Sequence, residues 1–342
     1  MRRRSRLVGW QVWRLTWRLA WLLTWPLVWR RAWRPRWAAW LRCMTALGLA
    51  LASATAQAGV LRACDAPAPI SAEQQDTLLR FAALIKAELD RSGQRVAIVS
   101  RSGMDLSRFG HRYSHAGIAL LASPNAPWSV RQLYFACDEG KPRIFDQGIA
   151  GFVLGTSSPD LGYVSVVLLP PEQAAQVERK ALDNALALQL LGGTYSANAY
   201  AFDSRYQNCN QWVMEILAAA WGAGAEPPPI GAEPSPRAQA QRWLKDQGYL
   251  PSEMTVHNPA LMLAAAFVPY LHNDDHPTED IARSTYRVSM PASVEGFVQG
   301  RLPGATRVEF CHKGQRMAVR RGWGVVMGGC GAGLGDAEVT LD

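Results

Sequence analysis

Two short segments hold the side chains best suited to covalent chemistry. Residues 107–119 (SRFGHRYSHAGIA) set His115 at the start of an apolar strand, after a polar loop that contains His111. Residues 202–213 (FDSRYQNCNQWV) set Cys209 in the first turn of an amphipathic helix, with Val213, Ile216, Leu217 and Ala220 on its inward face. A helix N-terminus carries partial positive charge and unpaired N–H donors, which favour thiolate over thiol. The same donors stabilise an oxyanion on a tetrahedral intermediate. A cysteine so placed, opposite an imidazole at a strand start, is the arrangement of thiol acyl-transfer enzymes.

Each residue also has a plainer reading. Buried cysteines are commonly inert core, and a histidine that starts a strand is often a hydrogen-bonded loop anchor. His111 is expected to cap its loop. Asp105, Arg108, Asp203 and Arg205 are expected to form structural ion pairs that support the two loops. The run His272-Asn-Asp-Asp-His276-Pro-Thr-Glu-Asp280 gathers imidazoles and carboxylates within nine residues. It is read as a solvated, proline-broken loop and not as a metal site. No Cys/His spacing of the zinc type occurs, and no cofactor or metal is expected.

The elements that must position these residues follow from pattern. Residues 71–91 combine a Ser N-cap, a Gln at the capping-box offset and apolar positions 78, 79, 82, 85 and 89, which predicts an amphipathic helix. Strand-like runs follow at 95–100, 115–122, 130–136 and 163–169. Pro170-Pro171 opens an expected long helix over 172–191, stopped by Gly192-Gly193. The Cys209 helix runs to Trp221. A Pro/Gly-rich connector over 223–236 precedes a short helix at 237–247, and 250–342 reads as a C-terminal extension that ends in paired strands. The mature chain reads as one α+β domain over 59–342.

The formal charge of +8 belongs to the N-terminus. Residues 1–58 hold eleven Arg and no Asp, Glu or Lys, so the remainder carries 25 basic against 28 acidic side chains, a net of −3. A nucleic-acid reading therefore has no support from the body of the chain. Nine of the 14 Trp also lie in the first 40 residues, seven of them at a strict spacing of four. Residues 1–43 read as low-complexity sequence upstream of the true start. Residues 44–58 (MTALGLALASATAQA) follow Arg42 and have the apolar then small-residue order of a secretory signal, with cleavage near Ala58. The run is too short to span a bilayer, which needs about 20 apolar residues, so no transmembrane span is expected in the mature chain. Export to the periplasm or beyond makes disulfides plausible. Cys311 with Cys330 and Cys64 with Cys137 are the candidate pairs among five mature cysteines, leaving Cys209, and other connectivities stay open.

HRYSHAGIAL and NCNQWVMEIL resemble the His and Cys motifs of the circularly permuted, NlpC-type papain-like thiol hydrolase superfamily. The whole mature chain more closely resembles an uncharacterised proteobacterial family, domain of unknown function 2145, through DLSRFGHRYSHAGIA, FDSRYQNCNQWV, YRVSMPASVEGFV and VRRGWG. The resemblance implies a permuted papain-like core, with an antiparallel sheet packed on the Cys-bearing helix. It implies Cys209 as nucleophile, His115 as general base and Gln132, on the following strand, as the residue that orients the imidazole. Asn208 and the Tyr206 hydroxyl are candidate oxyanion donors. The implied function is an exported hydrolase or acyltransferase that cleaves an amide or ester, with cell-wall peptide as first substrate guess. The alternative is a catalytically degenerate envelope binding or assembly protein on the same fold.

Overall fold

Alternating apolar residues place ten strands among the described residues, and eight of them join one antiparallel sheet. The computed structural model describes residues 70–222, 235–265 and 267–341, all within one compact unit, Cys64–Asp342. In chain order the strands are β1 (Val96–Arg101), β2 (His115–Leu120), β3 (Ser129–Ala136), β4 (Lys141–Gln147), β5 (Leu161–Leu168), β6 (Ser252–Thr255), β7 (Thr285–Val288), β8 (Thr306–Lys313), β9 (Arg316–Arg321) and β10 (Ala337–Thr340). The helices are α1 (Ala72–Arg91), α2 (Ile149–Leu154), α3 (Pro171–Leu182), α4 (Asn184–Gln189), α5 (Cys209–Trp221), α6 (Pro236–Asp246), α7 (Pro259–Ala265), α8 (Thr278–Ala282) and α9 (Pro291–Arg301). The large sheet has the order β10-β9-β8-β5-β1-β2-β3-β4, and β6 and β7 form a separate hairpin.

Both sheet faces are covered, because side chains alternate across each strand. Ala97, Val99, Ala119, Val130, Val164 and Val166 meet α1 and α2. Val96, Ile98, Ala116, Ile118, Leu133 and Val167 meet α3, α5, α6 and α9. The α5 helix is buried nearly all round, from Cys209 to Ala218 and at Ala220, so it is a core element and not a surface amphipath. No helix among the described residues is long and apolar enough to cross a membrane.

Several boundaries follow the sequence closely. The expected capping box at the start of α1 is present, with Ser71 Oγ accepting from Gln74 N and Gln74 Oε1 accepting from Ser71 N. The helix expected over 172–191 is instead two, α3 and α4. Asp183 adopts an extended backbone (φ −74°, ψ 99°), and its carboxylate accepts from Leu186 N to cap α4. Arg131 takes up the polar groups that the break releases, donating to Ala181 O (2.7 Å) and Asn184 Oδ1 (2.9 Å). Residues 250–342 are not an appendage, since β8 pairs directly with β5 and carries β9 and β10 beyond it. The leader, Cys64 and most of the 223–236 connector lie outside the described residues.

Candidate functional site

His115 opens β2, and its ring sits on the sheet face that carries α2. Nε2 is 2.5 Å from Gln132 Oε1, and the Phe152 ring lies 5.9 Å away, centroid to centroid. Gln132 Nε2 donates to Gln147 Oε1 (3.1 Å), which turns the Gln132 carbonyl toward the imidazole. Nε2 of His115 must then carry the proton, and Nδ1 is left as the basic nitrogen. Gly117 lets the strands close in: a Cβ there would lie 2.5 Å from Val130 Cγ1 and 3.2 Å from the Arg131 carbonyl oxygen.

Cys209 begins α5 and is 6% exposed; it takes part in no disulfide. Asn208 is the N-cap, its Oδ1 accepting from Gln211 N at 2.7 Å. Its amide hydrogens are already committed to Ala197 O (3.4 Å) and Ser289 O (3.2 Å). The Tyr206 hydroxyl donates to Asp274 Oδ2 (3.2 Å), and its ring stacks on His272 with centroids 4.2 Å apart. Neither side chain has a donor directed to a reacting carbonyl. The donors of the right type are the first-turn N–H groups of α5 other than that of Gln211, which the Asn208 side chain already caps.

The two blocks meet at the N-terminal end of β2. Asn210 Nδ2 donates to the Ser114 carbonyl at 3.3 Å, so the residue after the thiol is bonded to the residue before the imidazole. The strand separates the groups as well as joining them. Ala116 and Ile118 pack in the cluster that contains Cys209, whereas His115, one residue before Ala116, sits with Phe152 on the other face. His115 and Gln132 are thus in direct contact, and Cys209 is carried on the opposite face of the same strand start.

Burial, then the nearby Arg101 guanidinium, hold the His115 imidazole down to a pKa of about 3, against the opposing pull of Gln132. Held this low, the buried ring is neutral at pH 7 and a weak base where it sits. Burial lowers His111 and His312 as well. These rings accept protons in the unfolded chain, near the ordinary 6.5, before they do in the folded one. The stability they contribute is complete above pH 6.5 and is lost as pH falls toward 3. Glu215 and Glu295, both pushed up by burial, act in the opposite sense as pH rises above the ordinary glutamate range. The urea midpoint is therefore expected to fall between pH 7 and pH 5.5. An unchanged midpoint would mean that these rings are solvated in the folded protein.

The remaining expected residues serve structure. Asp105 accepts from Ser107 N (2.9 Å), and Arg108 lies over the Phe109 ring. Asp203 accepts from Arg205 N (2.6 Å), while the closer ion pair of Arg205 is with Asp274 (2.9 Å). The 272–280 stretch is not a solvated loop. Asp275, His276 and Asp280 are buried, with Asp275 accepting from Tyr200 N and His276 Nε2 bonded to Asn198 O. This stretch clamps the loop that leads into Cys209. Among the described residues no group of three or more metal-type ligands occurs. Cys311 and Cys330 are disulfide-bonded, with Cα atoms 5.5 Å apart. Cys137 is also disulfide-bonded, and its expected partner Cys64 lies outside the described residues.

Sequence reasoning missed Asn210, Gln147 and Arg101. Asn210 was visible inside the NCNQW motif. The other two are brought to His115 only by strand register, through the pairs Val130–Gln147 and Arg101–His115. A family model described as an uncharacterized protein conserved in bacteria (DUF2145) matches residues 88–298, from the last turns of α1 to α9. No curated protein and no solved structure matches the chain.

Proposed function

The chain belongs to the bacterial DUF2145 family, and from that premise we propose that it is a thiol-dependent hydrolase or acyltransferase acting on an amide or ester carbonyl. The carrying observation is the His115–Gln132 hydrogen bond, which leaves Nδ1 as a base at a strand start tied through Asn210 to the Cys209 helix. In the proposed cycle His115 removes the thiol proton as Cys209 Sγ attacks the carbonyl. First-turn N–H groups of α5 receive the oxyanion, and His115 returns the proton to the leaving group. Water or another acceptor then releases the acyl group. The ring has to swing about the strand start to reach the thiol, an opening motion of the kind active-site loops undergo. The antiparallel sheet packed on α5 suits a permuted papain-like core. The disulfides suit an exported protein with a leader cleaved near Ala58, for which a cell-wall peptide is the substrate class to try first.

A second reading, a binding or envelope-assembly protein on a degenerate enzyme fold, is favoured by one observation: the imidazole and the thiol-bearing helix lie on opposite faces of β2. An activated ester separates the two. With p-nitrophenyl acetate, the enzyme reading predicts a burst of one nitrophenolate per chain and an acetyl group on Cys209 by peptide mass spectrometry, with neither in Cys209→Ala. A chain that gives no burst and no adduct is the binding protein.

A further inference from the structure

On the sheet face that carries α5, the strands nearest the C-terminus bury charge. Arg307 Nε donates to Ser165 Oγ (2.9 Å) and Glu295 Oε2 (2.8 Å), Nη1 to Gly324 O (2.8 Å) and Nη2 to Tyr113 Oη (3.3 Å). Glu309 accepts from Arg112 Nη1 (2.7 Å), from the Tyr113 hydroxyl and from Val326 N (2.7 Å). Two different segments therefore converge on this cluster. Arg112 and Tyr113 belong to the loop that leads into His115. Gly324 and Val326 belong to residues 322–333 (GWGVVMGGCGAG), where six of twelve residues are glycine.

That glycine-rich segment contains no regular structure beyond one 3-10 turn, Gly328–Cys330. Gly322 (φ 90°) and Gly329 (φ 71°) occupy the left-handed region. Ordering so flexible a stretch costs more backbone entropy than any other composition, so its position depends on anchors. Besides the bonds at Gly324 and Val326, Gly329 N donates to Tyr163 Oη (2.9 Å). The Cys311–Cys330 disulfide closes the set. Val326 is fully buried with Tyr113, Tyr163 and Cys311, and Trp323 packs against the cluster that contains Cys209.

We propose that residues 322–333 are a redox-latched strap: the Cys311–Cys330 disulfide seats it on the Arg307–Glu309 cluster and thereby fixes the Arg112–Tyr113 loop before His115, and reduction by a dithiol releases it. Cys330 is partly exposed and Cys311 is fully buried, so the donor thiolate attacks Cys330 Sγ. The Cys311–Cys330 bond breaks, a mixed disulfide forms, and Cys311 leaves as a thiolate that takes a proton. The donor's second thiol then displaces Cys330, two electrons pass to the protein pair, and the donor becomes a disulfide. The strap stands apart from the catalytic reading, and only its effect on acyl transfer rests on that reading.

Limited chymotrypsin digestion at Trp323 tests the latch without any activity. In a Cys311→Ser/Cys330→Ser chain, with the Cys137 bond intact, cleavage at Trp323 is expected at least tenfold faster than in the oxidised parent, at unchanged far-ultraviolet circular dichroism. Should that variant fail to fold, dithiothreitol titration of the folded Cys137→Ala chain reads the same cleavage. The His115 ring proton resonances are expected to shift on release. Equal cleavage in latched and unlatched chains overturns the proposal, and fast cleavage with unmoved His115 resonances overturns the coupling to the loop. A Cys209→Ala chain should show the same tenfold change, which separates failure of the latch from failure of the acyl-transfer reading.

Discussion

An Arg307→Met chain is expected to lose about 3–5 kcal/mol of folding free energy, the cost of leaving buried charge without its partner. Arg307 is 3% exposed and is bonded to Glu295 at 2.8 Å and to Glu309 at 3.5 Å. Methionine fills much of the same volume, so packing loss is a minor part of the effect. Glu309, which is fully buried, keeps Arg112 at 2.7 Å, whereas Glu295 loses its only charged partner among the described residues. Burial already pushes the Glu295 carboxyl above its ordinary range, with Arg307 the largest opposing influence. The variant should therefore regain part of its loss on acidification, as Glu295 takes up a proton. Guanidinium denaturation at pH 7 and pH 5 measures both quantities. A loss below about 1 kcal/mol at pH 7 would mean that the cluster is open to water and makes little use of its ion pairs.

The second large effect concerns the proposed base. His115→Ala should slow acetylation of Cys209 by about 10²- to 10⁴-fold, the usual worth of a positioned general base. Gln132→Leu should cost less. It keeps the imidazole but removes the acceptor that holds the proton on Nε2, so the ring divides between tautomers and only one of them has a basic Nδ1. The order of the two effects matters more than either size. If Gln132→Leu is as damaging as His115→Ala, the amide does more than orient the ring. If His115→Ala acetylates at the parent rate, Cys209 reacts without a base and the binding-protein reading gains.

What sequence could and could not reveal divides along the distance between interacting residues. The α1 capping box and the Cys209–Trp221 helix are local patterns, and each was legible in the sequence. Gln132 was reachable because it stands on the strand after His115. The break at Asp183 was not, since 172–191 keeps helical periodicity throughout and Arg131, which stabilises the break, is 50 positions from the Ala181 carbonyl it bonds. The Arg307 cluster was hidden for the same reason: Tyr113 and Glu309 are 196 residues apart. The relation of Cys209 to His115 was hidden by parity. Spacing named both residues, but only the packing of Ala116 against α5 shows that the imidazole turns to the other face. Asn208 and Tyr206 were suggested by proximity to Cys209, and their hydrogen bonds show them holding the loop instead.

The pairing of β5 with β8 has a consequence for how the protein is made. Tyr163 lies opposite Cys311 and Val166 opposite Val308, so the middle of the sheet is sewn from segments more than 140 residues apart. Such non-local pairing is slow, because the intervening chain must be closed into a loop before the contacts are gained. Until β8 arrives, β5 is an uncovered edge, rich in valine and competent to pair with any other chain. A nascent chain cannot finish this sheet before β8, β9 and β10 have emerged. Completion of the sheet thus waits on distant segments, with a window in which an unfinished valine-rich edge is the chief aggregation hazard.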